Sequence, residues 1–125
     1  MTMRRREDTG EEMPAEYLPL TEVAFEILLV LADSERHGYA IMQEVELSTG
    51  GRLALHPGTL YRAISRLVSS GLIRESDRHP DGAEDRRRRY YALTELGREV
   101  AIAEARRLAS QVKTARVKNL LPATA

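Results

Sequence analysis

Arg62 and Arg66 stand four residues apart, with Thr59, Tyr61, Ser65 and Ser69 interleaved at helical spacing. Positions three and four apart share a helix face, so these side chains form one polar surface with two guanidiniums, four hydroxyls and no carboxylate. Its chemistry is recognition of a polyanion. A guanidinium can fork onto a guanine edge, and Ser, Thr and Tyr hydroxyls donate to phosphate oxygens. A second cluster is the run Arg86, Arg87, Arg88 and Arg89. On a strand, alternate residues point to opposite faces, so at least two of these arginines project to solvent, where they can hold a phosphate backbone or enter a narrow A·T minor groove. Both clusters also have plainer readings. Any surface helix shows arginine and serine to water, and a charged strand edge guards against unwanted pairing, with Asp81, Glu84 and Asp85 close enough to neutralise it. Four arginines in a row exceed what an edge guard needs.

The elements that must position these residues follow from apolar periodicity and breakers. A chain of 125 residues with 42% hydrophobic residues has room for one core. Residues 1–17 mix charges of both signs around Gly10 and Pro14 and read as a disordered tail. Thr21 caps a first helix to about residue 33, carrying Val23, Ala24, Ile27, Leu28, Val30 and Leu31, and residues 34–38 read as a turn. A second helix over residues 38–48 buries Tyr39, Ile41, Met42 and Val45 and stops at Gly50 and Gly51. Residues 52–55 read as a short extended piece. Pro57 opens a third helix running to about Ser70, with Leu60, Ala63, Ile64, Leu67 and Val68 inward and Gly71 as its stop. Residues 72–78 and 86–93 are strand candidates around an Asp81-Gly82 turn, and Thr94 caps a last helix over about 95–120, ended by Pro122. The fold class is therefore mainly α with a small β-hairpin: a winged helix-turn-helix over 18–94 and a long C-terminal helix over 95–121.

Other chemistries lack their residues. There are no cysteines, so disulfides, thiolate nucleophiles and cysteine zinc sites are excluded. No phosphate-cradling glycine loop, nucleophile elbow or HExxH is present. His37, His56 and His79 fall in separate turns; Asp77, His79 and Asp81 alternate but read as solvated loop residues. No enzyme activity, metal or cofactor is expected. His37 reads as a local cap or packing residue beside Gly38. The longest apolar run, residues 27–32, is far below the roughly 18 to 20 residues of a membrane span, and acidic residues follow Arg4–Arg6 where a signal peptide would be apolar. A cytoplasmic location is expected.

At specific places the sequence resembles the PadR-like transcriptional regulators. The resemblance rests on His37-Gly38-Tyr39-Ala40-Ile41, on Pro57-Gly58-Thr59-Leu60-Tyr61-Arg62-Ala63-Ile64-Ser65-Arg66-Leu67, on Gly71-Leu72-Ile73, and on Arg89-Tyr90-Tyr91-Ala92-Leu93-Thr94 with Gly97-Arg98. These motifs follow in order from His37 to Arg98, and the resemblance as a whole spans roughly residues 18–108. The resemblance implies a winged-helix repressor that dimerises through its C-terminal helix and binds a pseudo-palindromic operator. It implies that Tyr39, Thr59, Tyr61 and Arg62 approach double-stranded DNA, with His56 and Gly58 at the start of the third helix and the wing arginines beside them. Three departures are visible. His56 stands at the N-cap where the family commonly has serine, the chain after Leu108 matches only the smaller members, and the absence of Trp removes the aromatic drug-stacking residue of some of them.

In the last helix Ala101, Ala105, Leu108, Val112 and Ala115 recur at spacings of 4, 3, 4 and 3, a seam for helix-on-helix packing that fits either a homodimer or intrachain contact. A homodimer reads two half-sites about one helical turn, roughly 34 to 36 Å, apart. A small-molecule effector at the dimer interface is compatible with this reading. The competing class is a winged-helix module that docks on protein and binds little or no DNA; it would expose apolar side chains where this third helix exposes arginine, serine and threonine. The formal net charge of +0 conceals polarity: residues 1–20, 21–51, 52–93 and 94–125 carry −2, −5, +4 and +3. One face can be positive on a neutral protein.

Overall fold

The computed structural model describes residues 13–77 and 88–123. Among the described residues, four helices and three short strands follow in the order α1 (Glu22–Leu31), β1 (Arg36–His37), α2 (Gly38–Ser48), α3 (Pro57–Ser69), β2 (Ile73–Ser76), β3 (Tyr90–Leu93) and α4 (Glu95–Val117), preceded by a 3-10 turn at Pro14–Tyr17. The molecule is mainly helical with one small antiparallel sheet of order β1-β3-β2. Glu75 pairs with Tyr91 and Ser76 with Tyr90 across β2 and β3, and His37 pairs with Tyr90 across β1 and β3. Among the described residues no helix is long and apolar enough to cross a membrane.

Three of the four helices start where a side chain takes up an orphan N–H; α3 opens on Pro57 instead. Thr21 Oγ1 accepts from Ala24 N at 3.1 Å, His37 Nδ1 from Ala40 N at 3.2 Å and Thr94 Oγ1 from Gly97 N at 2.9 Å. His37 is thus the cap of α2. Helix α3 ends because Gly71 adopts φ +81, which lets Gly71 N donate to Val68 O and Leu72 N to Leu67 O, both at 3.0 Å. The chain then turns directly into β2.

The core joins Ile27, Leu28 and Leu31 of α1, Ile41 and Val45 of α2, Leu60, Ile64 and Leu67 of α3, Leu72, Ile73 and Tyr91 of the sheet region, and Val100 of α4. Two joints lock α4 onto it. A Cβ at Gly97 would collide with the Leu72 carbonyl, so only glycine allows the first turn of α4 to lie against the connection between α3 and β2. Further along, the buried Glu104 carboxylate takes three donors: Arg107 Nε at 2.6 Å, Arg107 Nη2 at 3.0 Å and the backbone N–H of Leu20 at 3.1 Å. The hydrogen bond from Arg107 is the main cause that holds this carboxyl below the ordinary glutamate range; burial opposes it and the Leu20 N–H assists.

Five features differ from the sequence expectations. Tyr39, expected to be buried by the second helix, is 56% exposed, because the core-facing positions of α2 are Ile41 and Val45. Residues 52–55 form no strand; Leu53 and Leu55 pack against the core, and the third strand is Arg36–His37, inside the expected turn. Two residues are too few to show an alternating pattern, and what makes them a strand is the free edge of β3. Pro14–Tyr17, assigned to the tail, form a turn whose Tyr17 packs against the core; residues 1–12 lie outside the described residues. Val68 is 40% exposed and not buried, because it sits at the margin of the apolar arc of α3. Helix α4 stops at Val117, before the expected proline, since Asn119 takes φ 63 and lets Leu120 N donate to Ala115 O at 2.8 Å.

Candidate nucleic-acid interface

Three elements converge on one surface: the start of α2, the outer face of α3 and the residues leading into β3. Along α3, Leu60, Ile64 and Leu67 are buried, while His56, Gly58, Thr59, Tyr61, Arg62, Ser65 and Arg66 are exposed. The period-3.6 pattern has therefore sorted the polar residues outward as a set. His56 occupies the N-cap position but makes no side-chain capping bond, so the missing family serine is not replaced as a cap. Neither α2 nor α3 carries an acidic residue in its first turn, leaving both N-termini with their dipoles uncompensated.

Tyr39 and Tyr61 are 56% and 46% exposed. Tyr61 reaches across from α3 and lies over Gly38, where a Cβ would collide with its phenol ring. Gly38 is thus the seat of Tyr61. Around this contact, His37, Tyr39, Tyr61, Arg88 and Arg89 line a cleft of about 330 Å³. Arg88 Nη1 stands 3.0 Å from His37 Nε2, and the His37 ring meets Tyr90 edge-on at 5.4 Å. A second cleft of about 370 Å³ runs between α3 and the sheet, bordered by Tyr61, Ser65, Ser69, Glu75 and Arg89. Tyr61, Arg89 and Tyr91 are common to both. At its floor burial pushes the Tyr91 hydroxyl above the ordinary tyrosine range, and the neighbouring Glu75 carboxylate adds to the shift.

The sequence-predicted set divides under this geometry. Tyr39, Tyr61, Arg88 and Arg89 come together, and Arg62 follows the outer midline of α3 beside Gly58. Arg66 belongs to the opposite flank, where it borders a groove with Tyr17, Pro19 and Thr21. Arg86 and Arg87 lie outside the described residues. Sequence reasoning missed three participants: His37 beside Arg88, Gly38 beneath Tyr61, and Glu75, whose carboxylate pairs with Arg89 at 3.3 Å. The only sequence signal for Glu75 was an acid in a strand candidate that would face the arginine run. Within the expected seam, Ala101 packs on the core, Leu108 and Ala115 are half-buried, and Ala105 and Val112 are exposed.

A model of the transcriptional regulator PadR-like family matches residues 27–103, within the 18–108 covered by the motif resemblance. The chain is 42% identical over 85 residues to the transcriptional regulator Rv3488 of Mycobacterium tuberculosis, covering 68% of this chain and 73% of that protein. It is 40% identical over 83 residues to an uncharacterized 37.1 kDa protein in transposon TN4556 of Streptomyces fradiae, covering 66% of this chain and only 22% of the relative. Of a further curated relative the match covers 64%. The crystal structure of a PadR family transcription regulator from Clostridium difficile shares the fold at a TM-score of 0.65 and 23% identity, over 77% of this chain and 96% of that one. Motif order, family model and architecture agree over the same stretch of sequence: the chain belongs to the PadR-like family of transcriptional regulators.

Proposed function

We propose that this protein is a sequence-specific DNA-binding repressor that acts in the cytoplasm as a homodimer on a pseudo-palindromic operator. The observation that carries the reading is the outer surface of α3: every charged residue from Pro57 to Ser69 is an arginine, and that surface is continuous with Tyr39 and the Arg88-Arg89 pair. In this reading α3 enters the major groove, with Arg62 reading a base edge and Thr59, Ser65 and Tyr61 donating to phosphates. Arg88 and Arg89, with Arg86 and Arg87, hold the backbone or the adjacent minor groove. Arg66, on the flank, takes a phosphate contact.

The homodimer reading is supported by apolar side chains that α4 and the turn after it expose, among them Ile102, Val112, Val117 and Leu120. The Ala105, Leu108, Val112 and Ala115 seam runs along the same helix. Selection of bound duplexes from a random pool tests the function, and a recovered inverted repeat with half-site centres about one turn apart is the expected result. Recovery of no preferred sequence would refute sequence-specific binding. Sedimentation of Val112→Glu, at an exposed position, tests the seam: the variant should be monomeric, and an unchanged dimer would refute it.

A further inference from the structure

The cleft between α3 and the sheet holds an acid in an otherwise cationic place. Glu75 sits opposite Tyr91 in the β2–β3 register, and Arg89, two residues before Tyr91, shares that face. The two side chains meet at 3.3 Å across the mouth of the cleft that Tyr61, Ser65 and Ser69 border from α3. Both are exposed, Arg89 at 75% and Glu75 at 51%, so the pair is not needed to satisfy buried charge. Its energy in isolation is small, as for surface ion pairs generally. Its position matters more than its strength. A phosphodiester lying between α3 and the arginine wing meets a guanidinium that already has a carboxylate partner.

We propose that Glu75 is a built-in competitor for the phosphate contact of Arg89, lowering the protein's affinity for every duplex alike. The inference rests on the DNA-binding reading of α3 and the wing. To contact phosphate, Arg89 must give up its pairing with Glu75. Binding through Arg89 therefore releases fewer counterions than a free arginine would, because Glu75 recruits a cation as Arg89 departs. A phosphate contact carries no sequence information, so the penalty falls equally on operator and unrelated DNA. The acid thereby restrains the electrostatic term that otherwise dominates nonspecific binding.

The test uses the full chain and its Glu75→Gln, Arg89→Gln and doubly substituted variants. Binding is followed by fluorescence anisotropy on a duplex selected from a random pool and on an unrelated duplex, from about 50 to about 200 mM salt. Glu75→Gln should tighten both complexes by about two- to fivefold, the range set by the energy of an exposed ion pair. The slope of log affinity against log salt should steepen by up to about 0.9, one further phosphate neutralised. Adding Arg89→Gln should remove the gain. Unchanged or weaker binding by Glu75→Gln overturns the proposal, as does a gain that survives loss of Arg89. A gain confined to the selected duplex also overturns it, because Glu75 would then be reading a base. If the unsubstituted protein binds neither duplex, the DNA reading falls and this inference with it; if it binds and Glu75→Gln has no effect, only the inference falls.

Discussion

Replacing Glu104 should uncouple α4 from the rest of the fold. Its carboxylate is 2% exposed and holds Arg107 in two hydrogen bonds of 2.6 and 3.0 Å while accepting the Leu20 N–H at 3.1 Å. Glu104→Ala orphans that N–H, at a cost of about 1–3 kcal/mol. It also dissolves a charge pair for which a fully buried site would lose about 3–5 kcal/mol. Arg107 is 35% exposed and can turn to water, so the pair contributes less than that range. A total near 3 kcal/mol follows, or about 10–15 °C in Tm at the roughly 3–5 °C per kcal/mol suited to a chain of this length. The pH dependence separates charge from packing. Because the folded-state carboxyl is held low, chiefly by Arg107, its contribution is complete above the ordinary glutamate value of about 4.3 and is lost as pH falls below it. Thermal melts of the unsubstituted protein and Glu104→Gln, followed by circular dichroism, should differ by a constant gap from about pH 7 to about pH 5 that closes under stronger acid. Parallel curves down to acid unfolding would refute the electrostatic account, and a loss under about 1 kcal/mol for Glu104→Ala would refute the structural one.

Arg62→Ala should cost about 1–3 kcal/mol of operator affinity and relax preference at particular base pairs, whereas Arg88→Ala with Arg89→Ala should weaken operator and unrelated DNA alike and flatten the salt slope; the reverse pattern in a binding selection would exchange their roles. Gly38→Ala should leave the fold intact but expel Tyr61 from its seat, weakening DNA binding by a factor close to that of Tyr61→Ala, and additive losses in the double variant would disprove the coupling. Gly97→Ala, which drives a methyl into the Leu72 carbonyl, should destabilise by about 3 kcal/mol or more, read as a lowered melting temperature; an unchanged melt would mean that α4 can shift freely.

What was legible in the sequence depended on whether a local signal decided the outcome. Helix α2 was placed at its observed limits because His37 and Gly38 at one end and Gly50 at the other act within a few bonds. The start of α3 at Pro57 and its stop at Gly71 were legible for the same reason. Strand β1 was not, since Arg36 and His37 become a strand only by meeting Tyr91 and Tyr90, more than fifty residues away. The end of α4 was misjudged because proline was weighed above an asparagine that can adopt the left-handed conformation. At the site, helical period selected the exposed face of α3, but it could not say that Tyr61 leans toward the wing and Arg66 away from it. That division depends on what packs on either side of α3, and for the same reason Glu75 was counted only as part of a strand.

The same dependence on neighbours reconciles zero net charge with a polyanionic partner. At about 0.1 M salt, exposed charges more than about 10 Å apart are largely screened, so a phosphate responds to the local sum and not to the total. On α3 that sum is wholly positive, from Arg62 and Arg66. On α2 the acids Glu44 and Glu46 come six and eight residues after Gly38, about 9 and 12 Å along the axis at 1.5 Å per residue, at the end away from Tyr39. Glu46 is thus kept beyond effective range by placement alone, and Glu44 lies at its edge. Glu75 is the exception within the described part of the interface, paired directly with one of its arginines, and this makes it the acid whose removal should change DNA affinity most.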